Sequence, residues 1–349
     1  MSFIGDSHGG AGIKMSNRIK ADESDEFLQF LQQMGVEYCY TMVDSGQDDY
    51  EFLKELKERT AKYGLSLFNV GHLRFIKPAE VHLALPGRDE TIEKFNKFIT
   101  TLGKVGIPTT TITWEPNKTI TTTADGKWVL PWQQDKVTDD TPEATTRGGA
   151  VVRLVDMEVV NAAGNSHGRI FTKDEIIENF LYFAKACIPI AEKVKVRICL
   201  HPNDPPADSC LGNASLISSY SDYKRIFEMV KSDYFGMEFC VGCWLEGGKE
   251  GFGDIIEDIK DSVAAEKVSI VHFRNVSNTM PVFTATFVDD GIGDMRKIMK
   301  TFVDSGYNGT LVYDNSPIMQ AGGIIGQTAF AVGYNKGLLD AAVGTPKED

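Results

Sequence analysis

Short apolar runs alternate with amphipathic stretches along most of the chain. Residues 37–43 (EYCYTMV), 65–71 (LSLFNVG) and the β-branched run 107–114 (IPTTTITW) read as strands. Between them, 49–63 and 89–102 read as helices, the second carrying Ile92, Phe95, Phe98 and Ile99 on one face. The rhythm breaks over 115–168. That segment is rich in Thr, Asp, Gly and Pro, carries Trp128 and Trp132, and has little helical period. A loop that long inside a compact domain is usually functional or disordered, and here it reads as an excursion over one end of the fold.

The alternation then resumes. Thr172, with Glu175 three residues on, has the capping-box pattern and opens a helix through Ala191. Strands are predicted at 195–202 (KVRICLHP), 235–242, 268–275 (VSIVHFRN) and 309–315 (GTLVYDN). Helices are predicted at 221–231, 252–259, 295–305 and 329–342. An eighth strand fits at 13–20. Strand–helix alternation at this length predicts an α/β fold with a parallel sheet. No GxGxxG turn follows an early strand, so a closed (β/α)8 TIM barrel fits better than a doubly wound sheet. The organisation expected is a mobile Gly-rich lead-in over 1–12, then one barrel domain over 13–349. The segment 115–168 is its insertion, after the fourth strand and over the barrel mouth.

Composition narrows the function. The 349 residues carry a net charge of −13, which argues against nucleic acid and against an anionic membrane surface. An apolar fraction of 42% without a run long enough to span a bilayer predicts no membrane helix. The first ten residues lack the basic start and apolar core of a signal peptide. The six cysteines form no secreted disulfide pattern, so a reducing, cytoplasmic setting is expected. Cys240 and Cys243 have CxxC spacing, but without a second pair that signal is weak.

In such barrels chemistry sits at the C-terminal ends of the strands. Four successive predicted strands end in metal-ligand types: His201, Cys240, His272 and Asp314. Singly, each is more often core or turn chemistry. Together, a thiolate, a carboxylate and two neutral imidazoles match a divalent cation in charge and donor type. Arg274 follows His272 by two in the same predicted strand, so it shares that face and is expected to point toward the same mouth. There it would suit a substrate carboxylate, the alternative being a structural salt bridge. Glu238 precedes Cys240 by two and is expected inward, one layer deeper, buried and paired.

The run His201-Pro202-Asn203-Asp204-Pro205-Pro206, with Cys240-Val241-Gly242, His272-Phe273-Arg274-Asn275 and the Asp314 strand end in that order, resembles the mannonate dehydratase family of xylose-isomerase-like barrels. The resemblance implies a divalent metal, usually manganese, on His201, Cys240, His272 and Asp314. It implies removal of water from a sugar acid through a metal-held enediolate-like intermediate. Thiolate and imidazole donors also suit zinc, iron or cobalt. Some positions depart from the family: Val312 stands for an Arg, Asn315 for a His, Ala285 and Val288 for a Glu and a His, and Thr328 for a Tyr. A changed substrate is therefore expected. Catalytic candidates are Arg274, Glu115, Tyr313 and Asn315, and candidates for holding a substrate acid are Arg274, Arg147, Arg18 and Lys118. His167 in the excursion is a further acid/base candidate. The leading expectation is a metal-dependent dehydratase (lyase) acting on a sugar acid. A sugar isomerase or epimerase and a non-catalytic sugar-acid-binding homologue are the alternatives. The expected partners are a small-molecule sugar acid or sugar and further copies of the chain, a homo-oligomer, with neither nucleic acid nor membrane.

Overall fold

A computed structural model describes residues 12–117 and 144–344. Eight parallel strands close a barrel: β1 (Lys14–Arg18), β2 (Tyr38–Val43), β3 (Ser66–His72), β4 (Thr109–Thr113), β5 (Arg197–His201), β6 (Phe235–Cys240), β7 (Val268–His272) and β8 (Thr310–Val312). They neighbour one another in chain order, and β1 pairs with β8 to close the ring. The α/β barrel read from the sequence is the observed fold. Positions on five of the strands meet in the barrel interior, where Tyr38, Phe68, Cys199, Ile270 and Val312 form a small apolar plug.

Outside the ring pack helices α1 (Asp25–Gln33), α2 (Tyr50–Lys62), α3 (Arg88–Val105), α4 (Lys173–Val194), α5 (Tyr220–Met229), α6 (Val241–Gly251), α7 (Ile255–Ala264), α8 (Met295–Asp304) and α9 (Gly323–Val343). Their starts follow from sequence. Ser24, Asp49, Ser219 and Asp294 each accept a backbone N–H of the first turn, and Thr172 with Glu175 makes the full capping box of α4. The apolar faces of α3 and α4 pack on the barrel through Phe95, Phe98, Phe180 and Phe183.

Three boundaries differ from expectation, each for a local reason. The strand predicted at 235–242 stops at Cys240, and α6 begins at once. Glycines 242, 247, 248 and 251 hide that helix from propensity. Trp244 secures it, stacked on Phe239 with ring centroids 3.8 Å apart. The strand predicted at 268–275 stops at His272. The chain then leaves the barrel, and Asn275–Val276 pairs antiparallel with Val282–Thr286. That hairpin is joined by Leu154–Asp156 from the 115–168 segment, which also contains a helix at Met157–Ala162. The closing helix starts at Gly323, earlier than predicted. Trp128, Trp132 and Lys118 lie outside the described residues, as does the lead-in up to residue 11. Among the described residues no helix is long and apolar enough to cross a membrane.

Candidate metal centre and substrate pocket

A cavity of about 580 Å³ opens where the barrel strands end. Its wall takes Arg18 from β1, Tyr40 from β2, Asn69 from β3 and Thr111 from β4. His201, Glu238, His272, Asp314 and Asn315 line the other side.

His201 is the last residue of β5 and buried. Its Nδ1 lies 2.7 Å from the Pro202 carbonyl oxygen. A carbonyl only accepts, so Nδ1 carries a hydrogen and Nε2 is the nitrogen turned to Cys240. Burial opposes the charged form of His201, yet the hydrogen bond and charge of Cys240 draw its pKa up to about 9. Cys240 ends β6, fully buried. Burial pushes its thiol up, but hydrogen bonding with Cys243, His201 and His272 and the charge of Arg274 outweigh that, so Cys240 favours the thiolate. His272 ends β7. Burial opposes its charged form, yet Glu238, Asp314 and Cys240 draw its pKa well above the ordinary value. Asp314 lies just past β8, its Oδ2 3.7 Å from His272 Nδ1. Asn315 sits at a positive φ of 44°, a conformation that Asn tolerates better than most residues, and its Nδ2 donates to Asp314 Oδ2 at 3.1 Å.

Donor atoms of Cys240, His272 and Asp314 lie within 4.8 Å of one another, as do those of His201, Cys240 and Cys243, and of His201, Glu238 and His272. The four residues expected from the sequence are thus gathered through overlapping groups, together with two further donors, Cys243 and Glu238. His272 Nε2 lies against the Glu238 carboxylate, while the buried Nδ1 has no hydrogen bond among the described residues. An unpartnered imidazole nitrogen beside a thiolate and a carboxylate fits a divalent cation.

The other expected residues are placed differently. Arg274 is not on the pocket wall. Because β7 ends at His272, the two-residue alternation does not carry through, and the guanidinium turns beneath the centre. There Nη2 donates to Glu246 Oε1 at 2.6 Å and to Asp204 Oδ2 at 3.2 Å, while Nη1 is 3.5 Å from Asp314 Oδ2. Nη2 also lies 3.7 Å from Cys240 Sγ. Gly242 makes room for this: a Cβ there would sit 2.0 Å from Arg274 Nε. Arg153 adds a second buried cation, 2.8 Å from Asp204 Oδ1. Burial alone would raise the Asp204 pKa, but Arg153 and Arg274 hold it well below the usual carboxylate range.

Glu115 lines the pocket but is already engaged: Lys77 contacts it, and Oε1 accepts from the Asp204 backbone N–H at 2.6 Å. Tyr313 points away from the pocket into the layer under α9. Its hydroxyl pairs with Thr328 Oγ1 at 2.7 Å, and burial pushes its pKa up to about 12. Arg147 clasps Asp289 through both Nη atoms, at 2.8 and 3.0 Å, away from the pocket. His167 pairs with the Pro116 carbonyl at 3.3 Å. Ala285 and Val288 are buried. Arg18 does reach the wall, exposed at the end of β1, and forms no ion pair with a described residue. Sequence reasoning gave no role to Arg153, Asp204, Glu246, Lys77 or Tyr40. Only Asp204, inside the HPNDPP run, carried a local signal.

A closed parallel barrel with its donors at the strand ends is a xylose-isomerase-like TIM barrel. A xylose isomerase domain protein from Planctomyces limnophilus superposes with a TM-score of 0.61 at 11% identity, covering 96% of this chain and 99% of that one. The profile of the D-mannonate dehydratase (UxuA) family matches residues 28–344, and the chain belongs to that family, one of hydro-lyases. Mannonate dehydratases from Brachyspira hyodysenteriae and Thermotoga maritima are both 26% identical to it. The first aligns over 87% of each chain, the second over 84% of this chain and 83% of its own. The mannonate dehydratase of Streptococcus suis serotype 2 shares the fold with a TM-score of 0.78 at 22% identity, over 95% of each chain.

Proposed function

We propose that this protein is a metal-dependent hydro-lyase that dehydrates a sugar acid, with His201, Cys240, His272 and Asp314 as the ligands of a divalent cation. The observation that carries the reading is the overlap of their donor groups beside an open pocket whose wall includes His201, His272 and Asp314. Manganese is the expected metal from the family. A cation held there supplies Lewis acidity to the carboxylate and neighbouring hydroxyl of a bound hydroxy acid. Arg18, on the strand next to the one that leads to Asp314 and without an ion pair among the described residues, holds the anionic end of the substrate, and the Tyr40 ring lies near His272, centroids 6.3 Å apart. Arg274 acts from below, fixing Asp204 and Asp314, and Arg153 on the pocket wall holds Asp204 from its other side.

The substrate differs from mannonate. Asn315 on the wall offers an amide where the family has an imidazole, and Ala285, Val288 and Val312 are apolar and buried. The described part of the segment 115–168 brings Glu115, Asn117 and Arg153 to the pocket wall. The protein works as a homo-oligomer in the cytoplasm, where its six buried free cysteines stay reduced.

Turnover of a panel of aldonates and ketoses, with and without manganese, tests the reading. A 2-keto-3-deoxy acid formed only with metal supports it. A rearranged sugar replaces it with an isomerase, and ligand binding without turnover leaves a binding protein.

A further inference from the structure

Below the mouth, a file of polar side chains crosses the barrel interior, where apolar filling is the rule. Asn69 Nδ2 donates to Thr111 Oγ1 at 2.9 Å, and Thr111 hydrogen-bonds the Glu238 carboxylate. Glu238 Oε1 lies against His272 Nε2. Glu238 is 2% exposed, pairs with no Lys or Arg among the described residues, and keeps Oε2 without a hydrogen bond. A buried carboxylate is costly unless matched, so His272 is the group that justifies it.

The geometry also orders the two imidazole nitrogens. A carboxylate only accepts, so the nitrogen against Glu238 is the one that bears hydrogen. The other, Nδ1, faces Asp314 Oδ2 at 3.7 Å, in the donor group that includes Cys240. We propose that Glu238 is the positioning residue of the metal centre: it accepts Nε2–H of His272 and turns Nδ1, with its lone pair, toward the cation shared with Cys240 and Asp314. Carboxylate–imidazole–metal triads of this kind fix the ring and strengthen the ligand. The inference rests on the metal reading above and adds a residue outside the four ligands.

The test needs no substrate. Apo-protein is titrated with cobalt(II) against a competing chelator, as wild type, Glu238→Gln and Glu238→Leu. Gln keeps an acceptor oxygen without the charge, and Leu removes both. Affinity should fall about 10-fold in the Gln variant and up to about 100-fold in the Leu variant, with the visible cobalt bands showing an unchanged number of ligands. In wild-type protein loaded with zinc, 15N spectra of labelled histidine should show His272 protonated at Nε2, a readout that does not depend on either variant folding. Affinities within about 2-fold of wild type, or zinc on Nε2, overturn the proposal. So does a Gln variant whose cobalt bands report one ligand fewer, which would make Glu238 a ligand itself. Wild-type protein that takes up no divalent cation overturns the metal reading first, and this inference with it.

Discussion

His82 stands at the end of the short helix Ala79–His82, with its ring against Trp114, centroids 4.2 Å apart, and a hydrogen bond to the backbone of Glu115. Its Nδ1 has no partner. Burial, the largest influence, lowers its pKa from 6.5 to about 3. The folded protein therefore holds His82 neutral where the unfolded chain would bind a proton. Stability from this group is intact above the unfolded value of 6.5 and drains away as pH falls toward about 3. At about pH 5 the unfolded state gains a factor of roughly 30, or about 2 kcal/mol. His82→Gln keeps a hydrogen-bond donor and cannot titrate. Urea unfolding of both proteins at about pH 7.5 and about pH 5 isolates the effect, because other titrating groups cancel in the double difference. Wild type should lose about 2 kcal/mol more than the variant between the two pH values. A double difference below about 0.5 kcal/mol would refute the reasoning, since His82 would then protonate as readily folded as unfolded.

Arg274→Met should cost about 3–5 kcal/mol by urea unfolding, since Glu246 loses its buried cation and Asp204 keeps only Arg153; a cost under about 1 kcal/mol means those acids do not depend on Arg274. Cys240→Ser should weaken cation binding by calorimetry far more than Cys243→Ser, and equal losses would make both thiols ligands. Arg18→Gln should raise KM for an acid substrate by about 10-fold or more while metal content stays unchanged. An unaltered KM would remove Arg18 from substrate binding.

The barrel was legible because its strands and helices keep separate periods, and because Thr172 and Glu175 announce the helix they cap. His201, Cys240 and His272 were legible as strand ends, where each closes its strand, and Asp314 follows two residues after the last strand. Arg274 shows the limit of that reading. Its placement depends on the strand stopping at His272, which is decided by pairing with distant residues. Its partners Glu246 and Asp204 are 28 and 70 residues away along the chain, and Arg153 meets Asp204 across 51 residues. No local pattern carries such contacts. Helix α6 was hidden by four glycines, one of them required by the guanidinium lying over it.

The ring is joined between β1 and β8 by two register pairs, Lys14 with Thr310 and Met15 with Leu311. Arg18 stands on one side of that seam and Asp314 on the other. On a ribosome, β1 emerges early and must wait for almost the whole chain before its second neighbour exists. The pocket is therefore among the last features to be assembled: nascent chains carrying the first seven strands hold His201, Cys240 and His272 but lack Asp314, and the wall that Arg18 shares with it stays open until the eighth strand docks.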